Sequence, residues 1–433
     1  MIFKENLYKE AFVWIWLPGE TEPVVAGKLS THGEKLIFNY GLSYLDRKNS
    51  VSIYKAELPL KSGFLPLLPN MMMPSCLRDA APDAWGRRVI ISRKIGQGLE
   101  KSSLQFNELT YFLESGSDRI GALDFQLSPS VYEPRSYKNV SLEELIASAE
   151  YIEKGIALPP ELDEALTHGT SIGGARPKAL IEENHKKYIA KFSSSTDLYN
   201  VVKSEFVAMR LAKLSGLNVT PVSLVRASNK DVLLIERFDR IHSEKGWERR
   251  GMVSALTLLG LDEMMARYAS YEDLAEMIRR EFQNASTLLK ELFGRITFNI
   301  LSGNTDDHAR NHAAFWDGHS LNLTPAYDIC PQNRVGNEAS QAMLIYKENR
   351  KSQLSVCLDA AHIFLLSQKE ALEIIQHQLE TITKKWDLVC EEAELSEIDR
   401  RFLQGRQFLN PFSYEDLTGE RFFIKELAGN VFT

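Results

Sequence analysis

The sequence predicts an α+β protein with a β-rich N-terminal part and a mostly helical C-terminal part. Three observations predict this class. Short apolar runs separated by Gly, Pro and polar clusters fill residues 1–60, strand and helix patterns are mixed over residues 131–240, and helical periodicity dominates from about Met252 onward. Because 433 residues suffice for two or three domains, we predict an N-terminal subdomain at 1–130, a mixed unit at 131–240 and a helical unit at 241–433.

The N-terminal elements follow from local patterns. The runs AFVWIWL, VVAGKL, KLIFNY and VSIYKAEL predict a small antiparallel sheet. Helical character extends from Asp79 to about Leu113, opened by Pro82, and GSDRIGALDFQ returns to strand character. A loop rich in Ser and Pro near residue 130 marks the first boundary, and Ser141 then begins a capping box, SLEE, ahead of a helix.

In the mixed unit, GTSIGGARPKALIEENHKKYIAKF predicts a loop, a strand, a turn and a second strand. A helix is predicted from about Leu198 to Leu214, and a buried strand, Val232 to Ile235, runs directly into ERFDR. In the helical unit, ELFGRITFNILSGN predicts a helix that stops at SGN. Two short strands, HAAFW and HSLNL, follow it and are joined by Asp317-Gly318, a strong two-residue hairpin signal.

Composition narrows the classes of function. With a net charge of -7, bulk attraction to a nucleic-acid backbone is not the organising feature of this protein. The four Cys are far apart without a CxxC, so neither a disulfide framework nor a thiolate zinc site is indicated. No apolar run approaches the roughly eighteen residues of a membrane span, and the N-terminal run VWIWL lacks the features of a signal peptide. We predict a soluble, cytoplasmic protein with no membrane partner.

Residues 304–328, NTDDHARNHAAFWDGHSLNLTPAYD, carry the strongest chemical pattern. Asn311 follows Asp306 by five residues, and the predicted hairpin returns Asp328 beside Asn311. Phosphoryl transfer from ATP needs such a set, because one Asp accepts a hydroxyl proton while the Asn and the second Asp hold Mg²⁺. A zinc site that uses His308 and His312 and a solvated polar loop are the alternatives, but the His spacing completes no familiar zinc pattern.

Other segments supply candidates for contact with ATP. Lys191 in YIAKF is similar to the strand lysine of kinases, and Glu205, on the helix that follows, is placed to pair with it. We predict that His308 also contacts the nucleotide. The alternative interpretation of Lys191 is an ordinary surface charge.

SIGGARPK, which begins at Ser171, is a candidate phosphate loop, in which Gly173 and Gly174 allow close backbone approach to an anion and Ser171 is a further candidate contact. It matches no standard phosphate-binding motif, and a plain turn is the alternative. In ERFDR, the main chain of Glu236 and Phe238 is predicted to pair with adenine, and Asp239 to reach the ribose. The alternative there is a strand end capped by exposed charges.

Taken in order, PDAWGRR with GSDRIGALDF, SIGGARPKAL with YIAKF, ERFDR, and NTDDHARN with PAYD resemble the HipA family of serine/threonine kinases, the toxins of bacterial toxin–antitoxin modules. The resemblance spans about residues 10–335. It implies a two-lobed, protein-kinase-like fold with an extra N-terminal subdomain. Asp306 resembles the catalytic Asp of the family, and Asn311 and Asp328 its magnesium ligands. Asp307 and His312 stand where some members have Gly and Phe.

The resemblance also implies an activity and partners. It implies transfer of the ATP γ-phosphate to a protein substrate, of which aminoacyl-tRNA synthetases are a known kind, and inhibitory autophosphorylation at Ser171. A small helix-turn-helix antitoxin is the implied partner, with DNA contacted only indirectly through it. A small-molecule kinase with the same pocket and a nucleotide-binding corepressor subunit remain alternatives.

Overall fold

The computed structural model describes residues 8–96, 106–135, 140–156, 176–194 and 197–429. The chain falls into two compact units. Unit 1 comprises Met1–Thr196, Val225–Val253 and Phe315–His319, and unit 2 comprises Asp197–Leu224, Ser254–Ala314 and Ser320–Thr433. No helix among the described residues is long and apolar enough to cross a membrane.

The strands are short, as the sequence predicts. In chain order they are β1 (Glu10–Ile15), β2 (Val24–His32), β3 (Lys35–Tyr40), β4 (Leu123–Gln126), β5 (Lys178–Glu183), β6 (Lys186–Phe192), β7 (Val222–Ala227), β8 (Lys230–Glu236), β9 (Arg240–Ser243), β10 (Gly246–Arg249), β11 (Met252–Ser254), β12 (Ala313–Trp316) and β13 (Leu321–Leu323).

The helices concentrate after residue 250. In chain order they are α1 (Leu42–Leu45), α2 (Ser75–Arg78), α3 (Ala84–Gly96), α4 (Glu108–Glu114), α5 (Leu142–Glu153), α6 (Val201–Leu214), α7 (Ala255–Leu258), α8 (Tyr271–Glu281), α9 (Ala285–Ser302), α10 (Leu354–Ala360), α11 (Gln368–Glu392), α12 (Glu397–Leu403) and α13 (Phe422–Gly429).

The first sheet of unit 1 has the order β3-β2-β1-β4 with antiparallel neighbours. It confirms the predicted N-terminal antiparallel sheet, but the prediction of a strand at VSIYKAEL is wrong. Residues 51–58 form turns and bends instead, because side chains take the backbone groups that a partner strand would use. The Ile53 N–H donates to the Tyr40 hydroxyl at 2.9 Å, and the Ser52 carbonyl accepts from the Trp316 indole at 2.8 Å.

The second sheet of unit 1 has the order β5-β6-β8-β7. Asn184 and His185 join β5 to β6 with φ of 51° and 58°, the left-handed values of a tight hairpin turn. Helices α3 and α5 pack against this sheet, and the predicted capping box of α5 is present at Ser141. One hydrophobic core contains Trp85, Val89, Leu145, Ile146, Ala149, Ile152, Ala179, Ala190, Phe192, Ala227, Val232 and Leu234. This core extends across residue 130, while the three-domain division at 130 and 240 stays a prediction.

In unit 2, α9 is the central helix, and most of its second half is buried. It ends at Gly303, whose φ is +72°. A Cβ on that residue would lie 2.6 Å from the carbonyl oxygen of Gln407, so both the backbone conformation and the space require glycine. The predicted stop at SGN is thereby confirmed, and the loop that follows starts from a rigid base.

The predicted hairpin after that loop is present, but its turn is longer than two residues. Strand β12 ends at Trp316 and β13 begins at Leu321. The turn uses Gly318 with φ of +95°, and the Asp317 carboxylate accepts from the His319 N–H at 2.8 Å. The side-chain bond stabilises the wider turn, which the Asp-Gly pair alone did not predict.

Candidate active site

The loop at residues 304–311 begins where α9 ends and finishes in a short 3₁₀ turn, Ala309–Asn311. The Asn311 N–H donates to the His308 carbonyl at 2.8 Å, and the Asn311 side-chain Nδ2 donates to the Asp306 carbonyl at 3.2 Å. Asn311 is buried and Asp306 is exposed. The loop therefore presents the Asp306 carboxylate to solvent while the buried Asn311 amide braces the backbone beneath it.

The charge environment of Asp306 disfavours ionisation. Partial burial of the carboxylate by its surroundings raises its pKa although the residue as a whole is exposed, and the negative charges of Asp328 and Asp307 raise it further. His308 acts in the opposite direction. A raised pKa at an accessible carboxylate is typical of groups that exchange protons in reactions.

The β12–β13 hairpin returns the chain to this loop. The Thr324 N–H donates to the Ala313 carbonyl at 3.0 Å, and the Tyr327 hydroxyl donates to the Arg310 carbonyl at 2.7 Å. Asp328 follows with a left-handed φ of 59°, and its backbone carbonyl accepts from Asn304 at 3.5 Å. Asp328 thus lies at the loop that carries Asp306 and Asn311, as the hairpin pattern predicts.

Asp307 anchors the same loop through buried hydrogen bonds. Its Oδ2 accepts hydrogen bonds from Asn299 at 2.7 Å, from His312 at 3.0 Å and from the Tyr271 hydroxyl. Burial opposes ionisation of Asp307, but the interactions with His312 and Tyr271 outweigh it and lower the pKa. His312 therefore contributes to the anchoring of the Asp306 loop through Asp307. Tyr271 and Asn299 were missed because nothing in their local patterns marks them.

The surroundings of His308 bear on the zinc interpretation of this loop. His308 is partly buried, and its Nδ1 has no hydrogen-bond partner among the residues that the structure describes. Within the described ranges, no three His, Cys, Asp or Glu side chains are arranged to hold a metal ion. This arrangement gives the zinc interpretation of the loop no support, and it leaves the oxygen atoms of Asn311 and Asp328 as the ligands to consider.

In unit 1, Lys191 is buried on β6, at 8% exposure, between its register partners Lys178 on β5 and Leu233 on β8. The alternative of a surface charge is thus wrong. Glu236 ends β8 and accepts from Lys186 at 2.7 Å. Phe238 is half-buried, with its ring edge on Phe315 at a centroid distance of 5.7 Å.

Asp239 lies in a buried network of charges that the sequence did not predict. Both of its carboxylate oxygens accept from Arg237, at 2.9 and 2.8 Å, and one also accepts from Arg240 at 3.0 Å and from the Gly121 N–H at 2.8 Å. Asp118, in the same unit, pairs with both arginines. These contacts give Asp239 a structural role, and its predicted contact with a ribose stays a prediction.

This network joins two motifs of the sequence, GSDRIGALDF and ERFDR. The alternative interpretation of ERFDR as a strand end capped by exposed charges is wrong, because Arg237, Asp239 and Arg240 are all buried. Their pairing is a long-range property: about 120 residues separate Asp118 from Arg240, and spacing along the chain cannot show it.

The remaining predicted residues divide between the units. Ser171, Gly173 and Gly174 lie outside the described residues. Glu205 is buried on α6 in unit 2, whereas Lys191 belongs to unit 1, and their ion pair stays a prediction. Unit 1 holds Lys191, Glu236, Phe238 and Asp239, and unit 2 holds Glu205, Asp306, His308, Asn311 and Asp328.

Two family models match this chain. The HipA N-terminal domain matches residues 16–126, and the HipA-like C-terminal domain matches residues 170–386, half of the chain. The chain belongs to the HipA family. The HipA resemblance that the sequence motifs suggested is thereby confirmed.

Relatives and solved structures agree with this membership. The serine/threonine-protein kinase toxin HipA of Shewanella oneidensis is 26% identical over 241 residues, covering 49% of this chain and 54% of its own length. The chain therefore spans about half the length of that HipA toxin. A Sinorhizobium fredii protein, provisionally named as a kinase, is 26% identical over 326 residues and covers 69% of this chain and 72% of its own length.

The fold has a solved counterpart. The structure of the S. oneidensis toxin–antitoxin complex of HipA, HipB and operator DNA contains a chain with a TM-score of 0.67 at 18% identity, covering 97% of this chain and 99% of that one. The predicted α+β fold of the HipA type is confirmed. At this identity the similarity extends to the fold alone.

Proposed function

We propose that this protein is an ATP- and Mg²⁺-dependent serine/threonine protein kinase, acting as the toxin of a toxin–antitoxin pair. The observation that carries the proposal is the grouping of Asp306, Asn311 and Asp328 on one loop and hairpin. Hard oxygen ligands beside an accessible carboxylate suit phosphoryl transfer. The S. oneidensis relative, named as a serine/threonine kinase toxin, supports the same activity.

Asp306 would orient the acceptor hydroxyl and take its proton. Its exposure allows a hydroxyl to approach, and its raised pKa makes its carboxylate a stronger base than that of an ordinary Asp. Asp307 would keep the loop in position through Tyr271, Asn299 and His312. Catalysis would come mainly from positioning and from neutralisation of phosphate charge.

Asn311 and Asp328 would hold Mg²⁺. The Asn311 Nδ2 is committed to the Asp306 carbonyl, so its Oδ1 is the side-chain atom available as a ligand. Mg²⁺ is usually bound through one or two protein ligands together with phosphate oxygens, and this pair fits that number. When bound, the ion would neutralise the charge of the ATP phosphates.

In unit 1, Lys191 would contact the ATP phosphates, and Glu236 and Phe238 would meet the adenine. Ser171, Gly173, Gly174 and His308 remain proposed contacts, with Ser171 as the site of inhibitory autophosphorylation. The proposed partners are a protein substrate, with aminoacyl-tRNA synthetases as one kind, and a HipB-like helix-turn-helix antitoxin that contacts DNA. A cytoplasmic location belongs to the same proposal.

The test is phosphotransfer by purified Asp306→Asn with labelled ATP, Mg²⁺ and protein acceptors, including the chain itself. We expect the rate to fall by about 10²- to 10⁴-fold, the usual contribution of a general base. Asp317→Asn is the matched control, since it removes a carboxylate from the neighbouring hairpin turn, and it should retain the rate. Full activity in Asp306→Asn would show that the proposed role is wrong.

Two alternatives have their own readouts. Transfer to small molecules without transfer to protein, in a screen with labelled ATP, would identify a small-molecule kinase. A rise in Tm with ATP and Mg²⁺ in the absence of any transfer would identify a nucleotide-binding corepressor subunit. Mass spectrometry after incubation with ATP tests phosphorylation of Ser171 directly.

A further inference from the structure

The segment at residues 332–342, which we call the arc, is attached at both ends to the start of the Asp306 loop. The Gln332 N–H donates to the Gly303 carbonyl, and the Ala342 N–H donates to the Thr305 carbonyl, each at 3.0 Å. Thr305 directly precedes Asp306. Because consecutive Cα atoms are about 3.8 Å apart, the ends of the arc lie within a few residue lengths of the carboxylate that would receive the acceptor proton.

Arg334, near the start of the arc, carries a buried charge that no carboxylate of the described residues compensates. It is 4% exposed and forms no ion pair with any carboxylate among the described residues. Its hydrogen bonds, to the Asn337 carbonyl and the Ser352 hydroxyl, are both 3.3 Å long, and its Nε has none. Burial accordingly lowers the pKa of Arg334. A buried guanidinium held only by long bonds to neutral groups is costly unless an anion completes it.

Gln341, at the other end of the arc, is also buried and unsatisfied. It is 1% exposed, and within the described part of the chain neither its amide oxygen nor its amide nitrogen has a hydrogen-bond partner. The Gln341 N–H donates to the Arg350 carbonyl at 2.7 Å, and the Ser352 N–H donates to the Ala339 carbonyl at 2.9 Å. These backbone bonds bring the arc beside Ser352, the residue that Arg334 also contacts. Both unsatisfied side chains therefore belong to one local structure within unit 2.

We propose that this structure binds an oxyanion carried by the polypeptide that is phosphorylated. The Arg334 guanidinium and the Ser352 hydroxyl supply donors for a carboxylate or phosphate, and shorter bonds from the guanidinium to a charged oxygen would replace its two long bonds to neutral acceptors. Gln341 supplies a donor NH₂ group and an acceptor oxygen, which together complement a peptide group. Because the arc is attached to Thr305, which precedes Asp306, we assign the oxyanion to the polypeptide that accepts the phosphate. This part of the inference rests on the proposed kinase function.

The first test measures anion binding without nucleotide. Tm is compared in sodium sulfate and in sodium chloride of equal ionic strength for the wild type, Arg334→Met and the control Lys351→Met. Lys351 is exposed and forms an isolated β-bridge with Ser340 of the arc, so its variant removes the same charge without emptying the site. We expect sulfate to raise Tm by about 2 °C more in the wild type and the control than in Arg334→Met.

In chloride, Arg334→Met should melt at the same temperature as the wild type or higher, since an uncompensated buried charge is gone. That result separates a binding role from a structural one. Equal sulfate increments in the wild type and Arg334→Met would overturn the site. Because this test needs neither ATP nor transfer, its outcome is independent of the kinase proposal.

The second test uses paired acceptor peptides with Asp, phosphoserine or Ala beside the target Ser. We expect KM to be about tenfold lower for an acidic peptide than for its Ala pair, with kcat unchanged, and Arg334→Met should remove this preference. Arg334→Lys should restore part of it. Asp and phosphoserine distinguish a carboxylate from a phosphate ligand. A sulfate response without any KM preference would mean an adventitious ion only and would overturn the assignment to the acceptor.

Discussion

Asp239 in unit 1 and Asp306 in unit 2 both belong to motifs that predicted contact with ATP or its acceptor, yet their surroundings are opposite. Burial raises the pKa of Asp239, but the positive charges of Arg237 and Arg240 outweigh it, so that the pKa is lowered. For Asp306, partial burial and neighbouring carboxylates raise the pKa. Asp239 is buried with both oxygens bonded, and Asp306 is exposed.

The difference shows that the partners of a carboxylate, rather than the motif containing it, determine what it does. A charge that is already paired and buried contributes to stability, because its removal leaves its partners unpaired. A charge whose neighbours disfavour it is held in place by the rest of the fold and is available for chemistry. Arg237 and Arg334 show the same contrast among arginines, since the first is paired with two aspartates and the second with none among the described residues.

The largest expected effect is on unfolding. Asp239→Ala leaves Arg237 and Arg240 buried with less compensating charge, and we expect a loss of about 3–5 kcal/mol in the free energy of unfolding. Asp306→Ala, the matched control, should change it by no more than about 0.5 kcal/mol, as exposed sites do. Urea unfolding followed by circular dichroism measures both. Equal losses in the two variants would remove the distinction between them.

The sequence predicted most elements of the fold but few of their charge partners. Helix α9, its stop at Gly303 and the hairpin before Asp328 follow from local periodicity and turn residues, so they were predictable. The pairing of Asp118 with Arg240 and of Tyr271 with Asp307 depends on segments that meet only in the folded chain. The strand predicted at residues 51–58 failed for a related reason, because side chains of Tyr40 and Trp316 replace a strand partner.

The second expected effect is a separation of activity from stability as the pH falls. The folded-state pKa values of Asp239 and Asp307 are lowered. Their stabilisation is therefore complete above the ordinary Asp pKa of about 3.9 and is lost only as the pH falls through the lowered values. The pKa of Asp306 is raised. As the pH falls, the proposed base is therefore protonated before the stabilisation by Asp239 or Asp307 is lost.

We therefore expect kcat/KM to fall about tenfold per pH unit below the pKa of Asp306 while the protein stays folded. Rate measurements and circular dichroism across the same pH series provide the check. Simultaneous loss of rate and of ellipticity would mean that the pKa of Asp306 does not lie above those of Asp239 and Asp307, as the structure indicates.

The smallest expected effect concerns Asp307 and His312, which contact each other. His312 Nε2 lies 3.0 Å from Asp307 Oδ2, and both residues are buried. Asp307→Gly alone leaves His312, Tyr271 and Asn299 without their common acceptor, and His312→Phe alone leaves the Asp307 carboxylate with fewer donors. The double variant removes Asp307 and His312 together. Its loss in the free energy of unfolding should therefore be smaller than the sum of the two single losses by about 1 kcal/mol.

A double-mutant cycle of unfolding free energies measures this coupling. Tyr271→Phe is the informative companion variant, because it removes another donor to Asp307 and preserves the ring. If Asp307 works as the buried anchor of the Asp306 loop, each single variant should also lower the phosphotransfer rate, and the double variant should recover part of it. Additive losses in both stability and rate would mean that Asp307 and His312 act independently. Asp307 would then not depend on His312 in the way that Asp239 depends on its paired arginines.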